Sequence, residues 1–165
     1  MRRKAIQTKV TQTKVTQPKR KYLLDLNTLI ALAEPDHEFH RPAGKWFQAE
    51  GKENWGVCPL TEAGFIRITT HPKYRPATRN VQQAAAVLAN FAGHPGYRYW
   101  PMVDSWATLT APFSARIFGH QQVTDAYLLG LAIKEHGVLV TFDFGFGLLA
   151  GSEYARNLRV LPGAQ

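Results

Sequence analysis

Residues 122–147 read QVTDAYLLGLAIKEHGVLVTFDFGFG. The stretch spells a helix, a stop, a short apolar strand and a carboxylate at the strand's end. Ala126, Leu128, Leu129, Ala132 and Ile133 recur at helical spacing, which predicts one apolar face. Thr124 is expected as the N-cap, its hydroxyl accepting from an orphan N–H of the first turn. Asp125 then falls in that turn, where the helix dipole favours negative charge, and Gly137 is expected as the C′ stop. Val138 to Thr141 is β-branched and apolar enough for a buried strand, and Asp143 follows it. A right-handed β-α-β unit packs such a segment most simply. It brings helix start and strand end to one edge of a sheet, where open α/β folds bind ligands.

Working outward, the same grammar repeats. Tyr22-Leu23-Leu24 reads as a strand running into Asp25, and Asp25-Leu26-Asn27-Thr28 opens a helix. A helix is predicted over Arg41–Glu50, a strand over Asn54–Cys58, and a helix over Thr61–Ile68 that ends before His71-Pro72. An Ala-rich helix is predicted over Val81–Phe91, a third strand over Tyr97–Trp100, and a last strand over Leu158–Leu161. Between them, 101–121 is ambiguous, with short helical pieces around Trp106–Leu109 and Pro112–Phe118. Strands alternating with helices predict a three-layer α/β/α sandwich with a mostly parallel central sheet.

The chain has 165 residues, enough for one domain with a proper core. Its net charge of +8 is concentrated at one end. Residues 1–21 hold eight basic side chains and no acid, leaving twelve basic and twelve acidic in 22–165. The domain itself is therefore neutral, which argues against its whole surface being a nucleic-acid footprint. The tail carries TKVTQ twice, at 8–12 and 13–17, and is expected to be disordered, with nonspecific RNA contacts as its alternative role. No apolar run follows it, so it does not read as a secretory signal, and no stretch is apolar for the ~18 residues of a membrane span. The single cysteine, Cys58, fits a small buried residue in a reducing, cytoplasmic compartment.

Four acids share one address. Asp25 closes the first strand, Glu62 sits in a first turn after the second, Asp125 opens the helix quoted above, and Asp143 follows the next strand. In a parallel sheet all four lie at the carboxyl edge. Clustered carboxylates repel unless a cation sits among them, and oxygen donors suit Mg²⁺ or Mn²⁺. Such an ion activates water for attack on a phosphodiester. Asn27 and Thr141 flank the acids as supporting hydrogen-bonding groups.

DLNTLIAL at 25–32, TEAGFIRI at 61–68, VTDAYLLGLA at 123–132 and LVTFD at 139–143 resemble, in that order, the motifs of PIN-domain ribonucleases. The likeness is strongest to the VapC-type toxins of bacterial toxin–antitoxin pairs and covers about 22–162. The resemblance implies a PIN-like fold and a Mg²⁺- or Mn²⁺-dependent endoribonuclease with Asp25, Glu62, Asp125 and Asp143 as its acid quartet. It also implies a VapB-type antitoxin, promoter DNA bound only indirectly through that antitoxin, and a homodimer. The long basic tail departs from the family pattern. A non-catalytic RNA-binding module and a metal-dependent DNA nuclease are the alternatives.

Other features carry less. Asp143-Phe144-Gly145 spells a kinase motif without its companion motifs. His37 and His40 have metal-like spacing but no second ligand pair. Asp104 reads as a loop or capping residue, and Trp46, Trp55, Trp100 and Trp106 as core. For Arg67, a structural ion pair and an RNA phosphate contact are equally open.

Overall fold

The two apolar runs Tyr22–Leu24 and Val138–Thr141 lie side by side at the centre of a parallel sheet, and both are buried throughout. The computed structural model describes residues 20–74 and 78–163. Apart from Arg20 and Lys21, the expected tail lies outside the described residues. In chain order the elements are β1 (Tyr22–Leu24), α1 (Leu26–Ala33), α2 (His40–Trp46), β2 (Trp55–Gly56), α3 (Pro59–Thr69) and α4 (Val81–Ala92). They continue with α5 (Trp106–Thr110), α6 (Val123–Lys134), β3 (Val138–Thr141), α7 (Phe146–Ala150) and β4 (Leu158–Val160). The strands run in the order β2-β1-β3-β4, each pair parallel.

Side chains alternate across a strand, so a sheet covered on both faces needs apolar residues at every position. Tyr22, Leu24, Val138 and Val140 point into one core with Leu29, Trp46, Trp55 and Phe65. Leu23 and Leu139 point into the other, with Trp100, Phe113 and the buried face of α6. The three-layer α/β/α arrangement follows directly. The apolar residues Leu29, Ile30, Ala31, Ala43 and Trp46 are buried in the first core. Cys58 is buried and free, and no helix among the described residues is long and apolar enough to cross a membrane.

Several boundaries differ from expectation. The N-cap of α6 is Gln122, whose side chain accepts from Phe118 N rather than capping the helix; a 3-10 turn at His120–Gln122 leads into the helix and places Thr124 inside its first turn. At the other end His136, with φ 53°, takes the left-handed position expected of Gly137. Gly137 N donates to Ala132 O and His136 N to Ile133 O, the paired bonds of a Schellman stop. Gly137 is required for a different reason: a Cβ there would lie 2.3 Å from the Trp100 ring and 2.8 Å from Lys21 O.

The predicted third strand is reduced to one parallel bridge, Trp55 to Tyr97, although Trp55 N–H donates to Gly96 O and Trp100 N–H to Val57 O. α2 ends earlier than expected, passing into a π-helical turn at Phe47–Gly51 whose glycine lies against the Trp46 ring. The second helical piece of the ambiguous region is a 3-10 segment, Ala111–Arg116. Trp106 is not core: it is 39% exposed and donates from Nε1 to Val123 O.

Candidate active site

Register decides what meets at the carboxyl edge. Leu24 pairs with Val140, so the chain leaves β1 and β3 at the same level. Asp25 leaves β1 and at once caps α1, its Oδ1 accepting from Thr28 N at 2.7 Å. Thr28 is fixed in turn by its hydroxyl, which donates to Val140 O. Thr141, the last residue of β3, donates from Oγ1 to Asp25 Oδ2 at 2.5 Å and accepts from Asp143 N at 2.9 Å. One buried hydroxyl therefore ties the two strand-end aspartates together. Asp143 is exposed, and its Oδ1 accepts from Gly145 N at 2.6 Å.

Asp125 enters from the first turn of α6. Asp25, Asp125 and Asp143 line one cavity of about 260 Å³, with Asn27, Arg67, Gln121 and Thr124. Gln121, Asp125 and Asp143 also border an adjoining hollow with Leu148. The three carboxyls interact electrostatically. Burial, then the charges of Asp143 and Asp25, pushes the Asp125 carboxyl up to about 6. Burial raises Asp25 as well, against the lowering effect of its hydrogen bonds to Thr141 and Thr28. Ordinary neighbours do not gather three acids like this; the site is short of positive charge.

Glu62 stands apart from the three aspartates. It lies in the first turn of α3, half-buried, and burial raises its carboxyl while the Tyr97 hydroxyl stabilises the charged form. Tyr97 is pushed up to about 12, by burial first and by Glu62 next. The structure thus brings together three of the four predicted acids and both supporting residues, Asn27 at the cavity wall and Thr141 beneath it.

The donor set is all oxygen, which suits a hard divalent cation. Among the described residues no three acidic, imidazole or thiol groups already close around a single point. Two lining residues escaped the sequence reading. Thr124 was expected to cap its helix and instead faces the cavity, and Gln121 lies in the ambiguous stretch before α6. The polar run Gln121-Gln122 beside Thr124-Asp125 was the available signal.

The other candidates fall to structural roles. His37 Nδ1 accepts from Phe39 N, and His40 Nδ1 lies 2.7 Å from Ala31 O. Asp104 accepts from Ser105 N beside the start of α5.

The PIN domain family matches residues 22–151 of the chain. Ribonuclease VapC38 of Mycobacterium tuberculosis (strain ATCC 25618 / H37Rv) is 41% identical over 128 residues, 78% of this chain and 89% of that protein. Ribonuclease VapC39 (strain CDC 1551 / Oshkosh) is 35% identical over 139 residues, 84% of this chain and 98% of its own length. Among solved structures, VapBC2 from Rickettsia felis bound to a promoter DNA fragment superposes with a TM-score of 0.54 at 14% identity. That match covers 86% of this chain and 98% of the other.

Proposed function

Because this chain belongs to the PIN domain family, among its VapC ribonucleases, we propose that it is the toxin of a VapBC toxin–antitoxin pair and cleaves RNA at the three-aspartate cavity with Mg²⁺ or Mn²⁺. The observation that carries this reading is the convergence of Asp25, Asp125 and Asp143 on one cavity. Their carboxyls crowd without a neutralising partner among the described residues, and the excess negative charge calls for a cation.

Asp25, Asp125 and Asp143 would hold the ion, and Glu62, which stands apart from them in this structure, would be the fourth acid of the set. When bound, a divalent ion lowers the pKa of a water and offsets charge on phosphoryl oxygens. The protein's own part is to orient and exclude. Thr141 holds the Asp25 carboxylate in one rotamer and fixes the backbone from which Asp143 projects. Asn27 and Gln121 offer amide hydrogens to phosphate oxygens at the cavity wall. The reaction consumes one water: a bond forms from its oxygen to phosphorus, the P–O3′ bond breaks, and a proton ends on the departing oxygen. The products are a 5′-phosphate and a 3′-hydroxyl.

The partner is a VapB-type antitoxin that covers this edge and carries the complex to promoter DNA, and the toxin works as a homodimer. The exposed apolar side chains Phe118, Phe144 and Leu148 support such a contact near the cavity.

The test is cleavage of an unstructured RNA oligonucleotide by purified protein with Mg²⁺ or Mn²⁺. Asp25→Ala and Asp125→Ala abolish cleavage and toxicity while remaining folded. Activity that survives EDTA, or full activity in either variant, refutes the assignment. Removing residues 1–21 leaves cleavage intact if the acids do the chemistry.

A further inference from the structure

Arg67 is the one cation lining the three-aspartate cavity among the described residues. It projects from the last turn of α3. It also borders a second cavity of about 250 Å³, walled by Leu26, Leu60, Gly64, Thr124 and Leu128, that opens beside the first. Helical side chains lean toward the helix N-terminus, so Arg67 lies back over the residues three and four before it. Those are Gly64, which is covered by the Leu26 side chain, and Ala63, which is exposed and small enough to leave room for a long side chain.

The guanidinium has no acid to hold it. Elsewhere Arg79 pairs with Glu34, Arg116 with Glu153 and Arg159 with Glu50. Among the described residues no ion pair or hydrogen bond joins Arg67 to Asp25, Asp125, Asp143 or any other acid. A guanidinium beside three crowded carboxylates, bonded to none of them, is placed for a different anion. Its rigid fork matches two oxygens of a phosphate, whereas a lysine would offer only a point charge.

We propose that Arg67 grips the non-bridging oxygens of the phosphodiester being cleaved, opposite the three aspartates, and is a substrate-binding residue of the site. This rests on the ribonuclease reading above. The acids gather positive charge on one side of the phosphate, and Arg67 supplies it on the other. Charge that builds on the phosphoryl oxygens as the water attacks is then met by two parallel N–H groups of one guanidinium fork.

The experiment measures kcat/KM on a short unstructured RNA, with Mn²⁺ affinity determined in parallel. Arg67→Met lowers kcat/KM on the order of a hundredfold, the usual size for one lost donor at a developing oxyanion. Mn²⁺ affinity is unchanged. The slope of log kcat/KM against log salt becomes shallower by about 0.7, one phosphate contact on a single strand. With a single-stereoisomer phosphorothioate at the cleavage site, the wild-type protein shows a rate drop that replacing Mg²⁺ by Mn²⁺ does not rescue. In Arg67→Met that drop disappears.

Arg67→Lys keeps the charge but loses the fork and recovers about a tenth of wild-type activity, which also serves should the Met variant fail to fold. Cleavage by Arg67→Met within threefold of wild type overturns the proposal. So does a Mn²⁺ affinity that falls in step with activity, which would assign Arg67 to supporting the acids. If the wild-type protein does not cleave, or Asp125→Asn cleaves as well as wild type, the ribonuclease reading itself falls. Wild-type cleavage with an equally active Arg67→Met sinks only the role of Arg67.

Discussion

Asp125→Asn should stabilise the metal-free protein at neutral pH, although it destroys the site. The carboxyl is pushed from its ordinary 3.8 to about 6 by burial and by Asp143 and Asp25. Between pH 4 and 6 the folded protein therefore binds more protons than the unfolded chain, and stability falls as pH rises through that window. Above pH 6 the whole penalty is present; below pH 4 it is absent. Two pH units at 1.36 kcal/mol each set a ceiling of roughly 3 kcal/mol. Asp125 is only half-buried, and solvent screening reduces this to about 1 kcal/mol. For a chain of this size that is a melting-temperature rise of roughly 2–4 °C. The assay is thermal unfolding in EDTA from pH 4 to 8, wild type against Asp125→Asn. The two curves should coincide near pH 4 and separate steadily up to pH 6.5. With millimolar Mn²⁺ at pH 7.5 the order should reverse, because only the wild type gains full binding energy. A variant no more stable than wild type at pH 7.5 in EDTA, or a difference that does not vary with pH, would refute the reasoning.

Other perturbations test the scaffold around the acids. Thr141→Val removes the hydroxyl that serves both Asp25 and Asp143, and should cost about 1–3 kcal/mol in urea unfolding and ten- to a hundredfold in Mn²⁺ affinity. Gly137→Ala should cost about 3 kcal/mol by the same measurement, since the new methyl meets both the Trp100 ring and a backbone oxygen that cannot yield. Arg79→Met leaves Glu34, 3% exposed, as a buried unpaired carboxylate and should also cost about 3 kcal/mol; Glu34→Gln in the same chain should recover part of the loss.

The central strands were legible because a parallel sheet covered on both faces admits only apolar residues, and Tyr22–Leu24 and Val138–Thr141 are unbroken apolar runs with a polar last residue only at Thr141. Edge elements were less so. Tyr97–Trp100 has the composition of a strand, but it lies at the rim beyond β2, and only Tyr97 forms a bridge. Trp106 reads as core by residue type, yet its indole N–H finds Val123 O at the surface. The ends of α6 were misread for one reason. Thr124 and Gly137 are the preferred residue types for caps, but the preceding 3-10 turn and the left-handed His136 supplied the caps first. That freed Thr124 to face the cavity and Gly137 to accept Trp100.

The site was legible to the extent that it follows from strand ends. Asp25 and Asp143 are placed by backbone register alone, and their link through Thr141 is a consequence of that register. Asp125 is placed by where α6 begins. Glu62 is placed by a helix whose start depends on Pro59, and its carboxyl then chooses among neighbours by rotamer; in this structure it faces Tyr97. Sequence order specifies where a Cα sits at a sheet edge and leaves the direction of a long side chain undetermined. Arg67 illustrates the same limit from the other side. Its position five residues after Glu62 permitted an ion pair or a phosphate contact equally, and only the cavity it lines, with no acid engaged, separates the two. Short side chains at strand ends report the site; on the proposed reading the three aspartates would meet a divalent ion and Arg67 the phosphodiester bound beside it.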